Sequence, residues 1–166
     1  MSGLGGLDRF NGLPEAEAAE ALLAVCRSRR WAGRVAAGRP YADLAALEKA
    51  ADQAFDALGA EDWREAFAAH PRIGEGGGRS AAWSRQEQSG VGGAGQDVQE
   101  ALARGNAAYE ARFGHVFLIA AAGRSAEEIL AQLEARLGND PATELRVAAG
   151  EHRRITRLRI EKLMGT

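Results

Sequence analysis

His70 is followed at once by Pro71, and proline disfavours helical geometry in the residue before it. An imidazole at that place closes a helix whose last carbonyls carry partial negative charge. That charge favours imidazolium and raises the histidine toward service as a proton donor near neutrality. A plain helix cap would have the same sequence. Further on, Ser84, Glu87 and Gln88 stand at i, i+3 and i+4, on one helical face. A hydroxyl, a carboxylate and an amide together can grip a polar heterocycle rich in donors and acceptors. The wet side of an amphipathic helix offers the same groups. Glycine-rich stretches flank this face, and eight of the 21 glycines fall within 74–95. Such stretches let backbone approach a ligand closely or let a segment move, although ordinary surface loops share the composition. After Leu145 the chain sets Arg146, Arg153, Arg154, Arg157, Arg159 and Lys162 against Glu151 and Glu161, a net of +4. Most of these charges belong in solvent, but an acidic substrate would call for one arginine able to hold a carboxylate with two parallel hydrogen bonds.

Other chemistries fail on context. The run from Gly90 to Gly95 matches the dinucleotide fingerprint, yet the polar SRQEQS before it cannot be the buried strand that such a phosphate-binding turn needs. His70, His115 and His152 are far apart along the chain, and no CxxC or HExxH spacing occurs, so no metal is expected. No GxSxG elbow marks a serine hydrolase.

These residues must be positioned by helices. The 166 residues carry 36 Ala and 16 Leu against 6 Val, 5 Ile and 3 Thr. That balance suits helices and starves a sheet. We therefore expect an all-α fold, a single-domain bundle of about eight helices over 1–166. Apolar spacing predicts helices from Pro14 to Cys26, over 31–37, over 41–58, and from Asp62 to His70. Others are expected from Ser80, over 97–113 with Gly114 as the stop, from the capping box Ser125–Glu128, and from Asp140-Pro141 to Leu163. The run 116–119 is too short to assign by period. Gly59 reads as a helix stop.

A net charge of -2 and a pI near 6.0 argue against a nucleic-acid or membrane-surface binder. No apolar run is long enough to span a bilayer. The first residues lack the pattern of a secretory signal, the last four carry no address, and the lone Cys26 fits a reducing compartment. A cytoplasmic protein is the expectation.

Four ordered segments resemble one family. HPRIGE (70–75), W-S-x-x-E-Q-x-G (83–90), R-F-G-H-V-F-L-I (112–119) and R-I-T-x-x-R (154–159), with Trp31 and Arg39-Pro40-Tyr41 near the start, resemble the OHCU decarboxylases. Those enzymes act on 2-oxo-4-hydroxy-4-carboxy-5-ureidoimidazoline (OHCU) late in urate degradation. The resemblance implies an all-helical homodimer without metal or organic cofactor, yielding (S)-allantoin and CO2. It places the catalytic histidine on His70, with Glu87 orienting it or a ring nitrogen. It places substrate contacts on Pro71, on Ser84, Arg85, Gln86 and Gln88, and on Phe117, Leu118, Ile119, Ala120 and Ala121, which offer mainly backbone. The carboxylate-holding arginine falls on Arg159. Ala120 and Ala121 are smaller than the family's usual residues there, and the loop at Gly76-Gly77-Gly78 is shorter than in some relatives.

Such chemistry suits these residues. A carboxylate next to a C=N bond can leave as CO2 because the ring accepts the electron pair, so no added electron sink is required. Two other readings stand beside it: a non-catalytic helical module that binds a purine or ureide, and a different cofactor-free enzyme on such a ligand. Neither accounts for all four segments in order.

Overall fold

A computed structural model of the chain describes residues 5–70, 72–73, 91 and 95–165. Among the described residues are eight helices and no strand. They are α1 (Gly6–Gly12), α2 (Glu15–Val25), α3 (Arg29–Ala37), α4 (Leu44–Asp56), α5 (Ala60–Phe67), α6 (Gln96–Phe113), α7 (Ala126–Arg136) and α8 (Pro141–Leu163). The all-α expectation holds. The helix expected from Ser80 lies outside the described residues. One helix, α1, is not among those expected, since it carries no strong sequence signal. Rich in glycine, α1 is held by tertiary contacts: Phe10 is buried, and the Arg39 guanidinium donates to the carbonyls of Phe10 and Leu13 at 2.8 and 2.6 Å.

Local capping chemistry sets several helix ends. The Ser28, Asp43 and Asp140 side chains each accept the backbone N–H three residues on, at 3.3, 2.8 and 2.9 Å, and so open α3, α4 and α8. Ser125 and Glu128 form the expected capping box at the start of α7. Gly114 ends α6 with φ of 79°, a conformation glycine adopts at little cost. Gly59 is not the stop of α4, which ends at Asp56. Its N–H instead donates to Asp62 at 3.2 Å, ahead of α5.

The chain divides into two compact units, Met1–Ala66 with Arg153–Thr166, and Phe67–His152. In the first, α2 packs on α3 and α3 on α4. Trp31 is fully buried there and donates its indole N–H to the Ala51 carbonyl at 3.0 Å. Asn11 and the Tyr41 backbone exchange two hydrogen bonds of 2.9 Å, and the Tyr41 hydroxyl donates to the Val35 carbonyl. Trp31, Arg39 and Tyr41, which contributed to the family resemblance, thus build framework. The last turns of α8 pair Arg153 with Asp56 and Arg157 with Glu48 and Asp52 on α4. Half-exposed pairs of this kind contribute little each.

In the second unit α6 packs on α7, and Gly105 permits the close approach: a Cβ there would meet the fully buried Leu133 side chain. Leu102, Tyr109, Phe117, Ile119, Ile129 and Leu133 form its core. The run 116–121 crosses this core as neither helix nor strand.

Candidate active site

α5 closes at Phe67, before the residue that proline restricts, and the His70 N–H donates to the Phe67 carbonyl at 3.0 Å in a turn. His70 therefore sits past the last helical turn. The His70 ring meets that of His152 edge to face, with centroids 4.8 Å apart and planes at 82°. His152, wholly buried on α8, also packs on Phe67 at 5.6 Å, and Phe67 contacts His115 at 5.3 Å. His115 and His152, distant in sequence, thus share the Phe67 ring, and His70 joins them through His152. Among the described residues, however, no group of three His, Cys, Asp or Glu could hold a metal ion.

α6 secures the backbone just after the His-Pro step. Arg72 donates from Nε to both carboxylate oxygens of Glu110, at 3.1 and 2.9 Å. The buried Asn106 donates from Nδ2 to the Ile73 carbonyl at 3.0 Å. Pro71, Ser84, Arg85, Gln86, Glu87 and Gln88 lie outside the described residues.

The second substrate-facing segment of the expectation, residues 117–121, is present and mostly buried; Ala120 alone is partly exposed. Its side chains point largely into the core, so what remains for a ligand is backbone. The Leu118 carbonyl accepts from Arg136 Nη1 at 2.6 Å, and the Ala121 carbonyl accepts from the Arg124 N–H at 3.0 Å. Among the described residues, no hydrogen bond is donated by the N–H groups of 117–121.

Arg136 belongs to a buried polar network that the sequence reading did not single out. Its Nε donates to Glu144 Oε1 at 2.7 Å. Nη2 lies 2.6 Å from the same oxygen but off the hydrogen-bond direction, so that contact is electrostatic. Glu144 also accepts from the Tyr109 hydroxyl at 2.5 Å and from Asn139 Nδ2 at 2.9 Å. Burial first, and then the Glu144 acceptor, push the Tyr109 phenol well above its ordinary pKa, so it remains a donor. A usable signal did exist. Arg136 falls at the next core position after Ile129 and Leu133 on α7, a charge on an apolar stripe.

Arg159 stands in the first unit, on α8. Of the six basic residues after Leu145 it is the only buried one, at 3% exposure. Thr156, one turn earlier, hydrogen-bonds the Cys26 thiol. Burial pushes that thiol up to about 12, against the lowering pull of this bond and of the Arg159 charge. Cys26 is thus a neutral neighbour. A guanidinium removed from water attracts an anion more strongly than its exposed counterparts do.

Comparison with known proteins follows the same lines. The profile of the family described as OHCU decarboxylase matches residues 11–161. The chain is 36% identical over 83% of its length to the "Uric acid degradation bifunctional protein TTL" of Arabidopsis thaliana, spanning 44% of that protein. It is 35% identical to the "2-oxo-4-hydroxy-4-carboxy-5-ureidoimidazoline decarboxylase" of Amia calva, over 80% of this chain and 79% of that one. Its fold superposes with a TM-score of 0.79, at 30% identity, on the crystal structure of OHCU decarboxylase in the presence of (S)-allantoin. That match covers 89% of this chain and 99% of the other.

Proposed function

The chain belongs to the OHCU decarboxylase family, and we propose on that premise that it decarboxylates OHCU to (S)-allantoin and CO2 in urate degradation, without metal or organic cofactor. The observation that carries the reading is the continuous family match over 11–161, which runs through His70, the segment 117–121 and Arg159. A non-catalytic ureide-binding module has no comparable support.

In this reading Arg159 holds the substrate carboxylate while segment 117–121 presents backbone N–H groups to the ring. The bond from carbon to carboxylate breaks and CO2 leaves. Its electron pair forms a double bond to the ureido-bearing carbon as the C=N pair moves onto the ring nitrogen. The O–H proton lost when the hydroxyl-bearing carbon becomes a carbonyl is balanced by the proton that this nitrogen takes up. His70, oriented by Glu87, delivers a proton to one face of the carbon bearing the ureido group. Orientation, exclusion of water from the carboxylate and facial selectivity are what the protein contributes. One domain over 1–166, working as a cytoplasmic homodimer, completes the proposal. No described helix is long and apolar enough to cross a membrane.

The direct test supplies freshly generated OHCU and follows CO2 release together with optical rotation of the product. Rotation of the sign given by authentic (S)-allantoin supports the proposal; a racemic or opposite product, or binding without turnover, sinks it. Turnover is expected to survive exhaustive dialysis against EDTA. Loss of activity restored by one specific metal would contradict the cofactor-free scheme.

Arg159→Lys is expected to raise KM although the charge is kept, because an ammonium cannot reproduce the planar two-bond grip on a carboxylate. Steady-state kinetics reads this directly. Unchanged KM and kcat/KM would assign the carboxylate to another group.

A further inference from the structure

The buried Arg136–Glu144 pair ends on the carbonyl of a segment that carries no regular structure. A buried ion pair is weak evidence for stability, because an apolar pair of similar volume often serves the core as well or better. Arg136 and Glu144 are 5% and 0% exposed, and Glu144 is satisfied by three donors. What this costly arrangement does deliver is a fixed conformation at 117–118. The guanidinium lies over the Phe117 ring at 4.5 Å and at the same time donates to the next residue's carbonyl at 2.6 Å. Two consecutive residues are held by one planar group.

The geometry of the peptide bond carries the argument further. In a trans peptide the C=O of one residue and the N–H of the next are coplanar and point in opposite directions. The 118–119 bond is trans, the only cis peptide among the described residues being Arg39-Pro40. Anchoring the Leu118 carbonyl on Arg136 therefore aims the Ile119 N–H away from the guanidinium. Among the described residues that N–H donates to no acceptor. The Ile119 side chain is buried in the core with Phe117, so the peptide cannot rotate freely.

We propose that Arg136, held in place by Glu144, is a positioning residue that aims the Ile119 N–H at an acceptor of the bound ureidoimidazoline. The inference rests on the reading of 117–121 as substrate-facing. Arg136 touches no substrate itself. Lysine cannot replace it, because a single ammonium lacks the fork that spans Glu144 and the Leu118 carbonyl together.

The test uses full-length protein carrying 15N-isoleucine, titrated with (S)-allantoin. In the wild type the Ile119 amide proton is expected to move downfield on binding. In Arg136→Lys that shift is expected to be lost, and kcat/KM for OHCU to fall by about 10- to 100-fold, the range for misplacing one hydrogen bond in a desolvated site. Should Arg136→Lys fail to fold, the double variant R136M/E144Q carries the same readout. It leaves no unpaired charge, and the amide oxygen that E144Q introduces still accepts from Tyr109. A merely structural pair would leave both folded variants with the wild-type amide shift and wild-type kcat/KM, which overturns the proposal. If the wild-type Ile119 amide does not respond to (S)-allantoin at all, the reading of 117–121 itself fails.

Discussion

His70→Ala is expected to lower kcat by roughly 10²- to 10⁴-fold, the usual range for removing a positioned proton donor or acceptor. The electron pair released by decarboxylation already has a place in the ring, so CO2 loss itself needs no acid. Delivery of the proton to one face does. The variant should therefore lose stereochemical purity as well as rate, because bulk water reaches either face. Folding should be little affected, since His70 is only half buried and its backbone bond to Phe67 survives the change. Glu87→Ala should be severe too, yet the two losses should not add if each residue works through the other. The measurements are kcat, product optical purity and thermal unfolding of both single variants and the double. Near-normal turnover with full optical purity in a folded His70→Ala protein would remove His70 from the mechanism.

Glu144→Ala is expected to produce the largest loss of stability, about 3–5 kcal/mol, by leaving an uncompensated charge in the core. Arginine cannot escape by losing a proton, so the Arg136 guanidinium stays charged after its partner is gone. Two further donors, the Tyr109 hydroxyl and Asn139 Nδ2, lose their acceptor in the same step. For a chain of this size the loss corresponds to a fall of roughly 6–20 °C in Tm. Glu144→Gln should be milder because the amide oxygen still accepts from tyrosine. Calorimetry or circular dichroism decides the matter. A Tm within two or three degrees of wild type for Glu144→Ala would show that the guanidinium reaches water or finds another anion.

Much of this protein is written locally in its sequence. Ser125 with Glu128, Asp140 before Pro141, and Gly114 after Phe113 determine their helix ends by contacts within a few residues, and the expected boundaries recur in the structure. Alanine and leucine in excess of branched residues determine the all-α class by intrinsic backbone preference. His70 and the segments that mark the family are likewise legible, because they are contiguous words. Other features depend on residues remote in sequence, and only the tertiary structure decided them. α1 exists because Arg39, from beyond α3, caps the carbonyls around Phe10, which outweighs its poor helical composition. α5 stops at Phe67 rather than His70, so a proline marks where a helix cannot continue but not where it ends. Arg159 differs from its five basic neighbours after Leu145 by burial alone, which spacing along one helix does not reveal. The Arg136–Glu144–Tyr109 network joins α7, α8 and α6, and charges so scattered read as surface until packing removes their water. Local preference is additive along the chain and can be read there. Burial of a charge is a property of the assembled core, where desolvation makes a partner obligatory and folding supplies it.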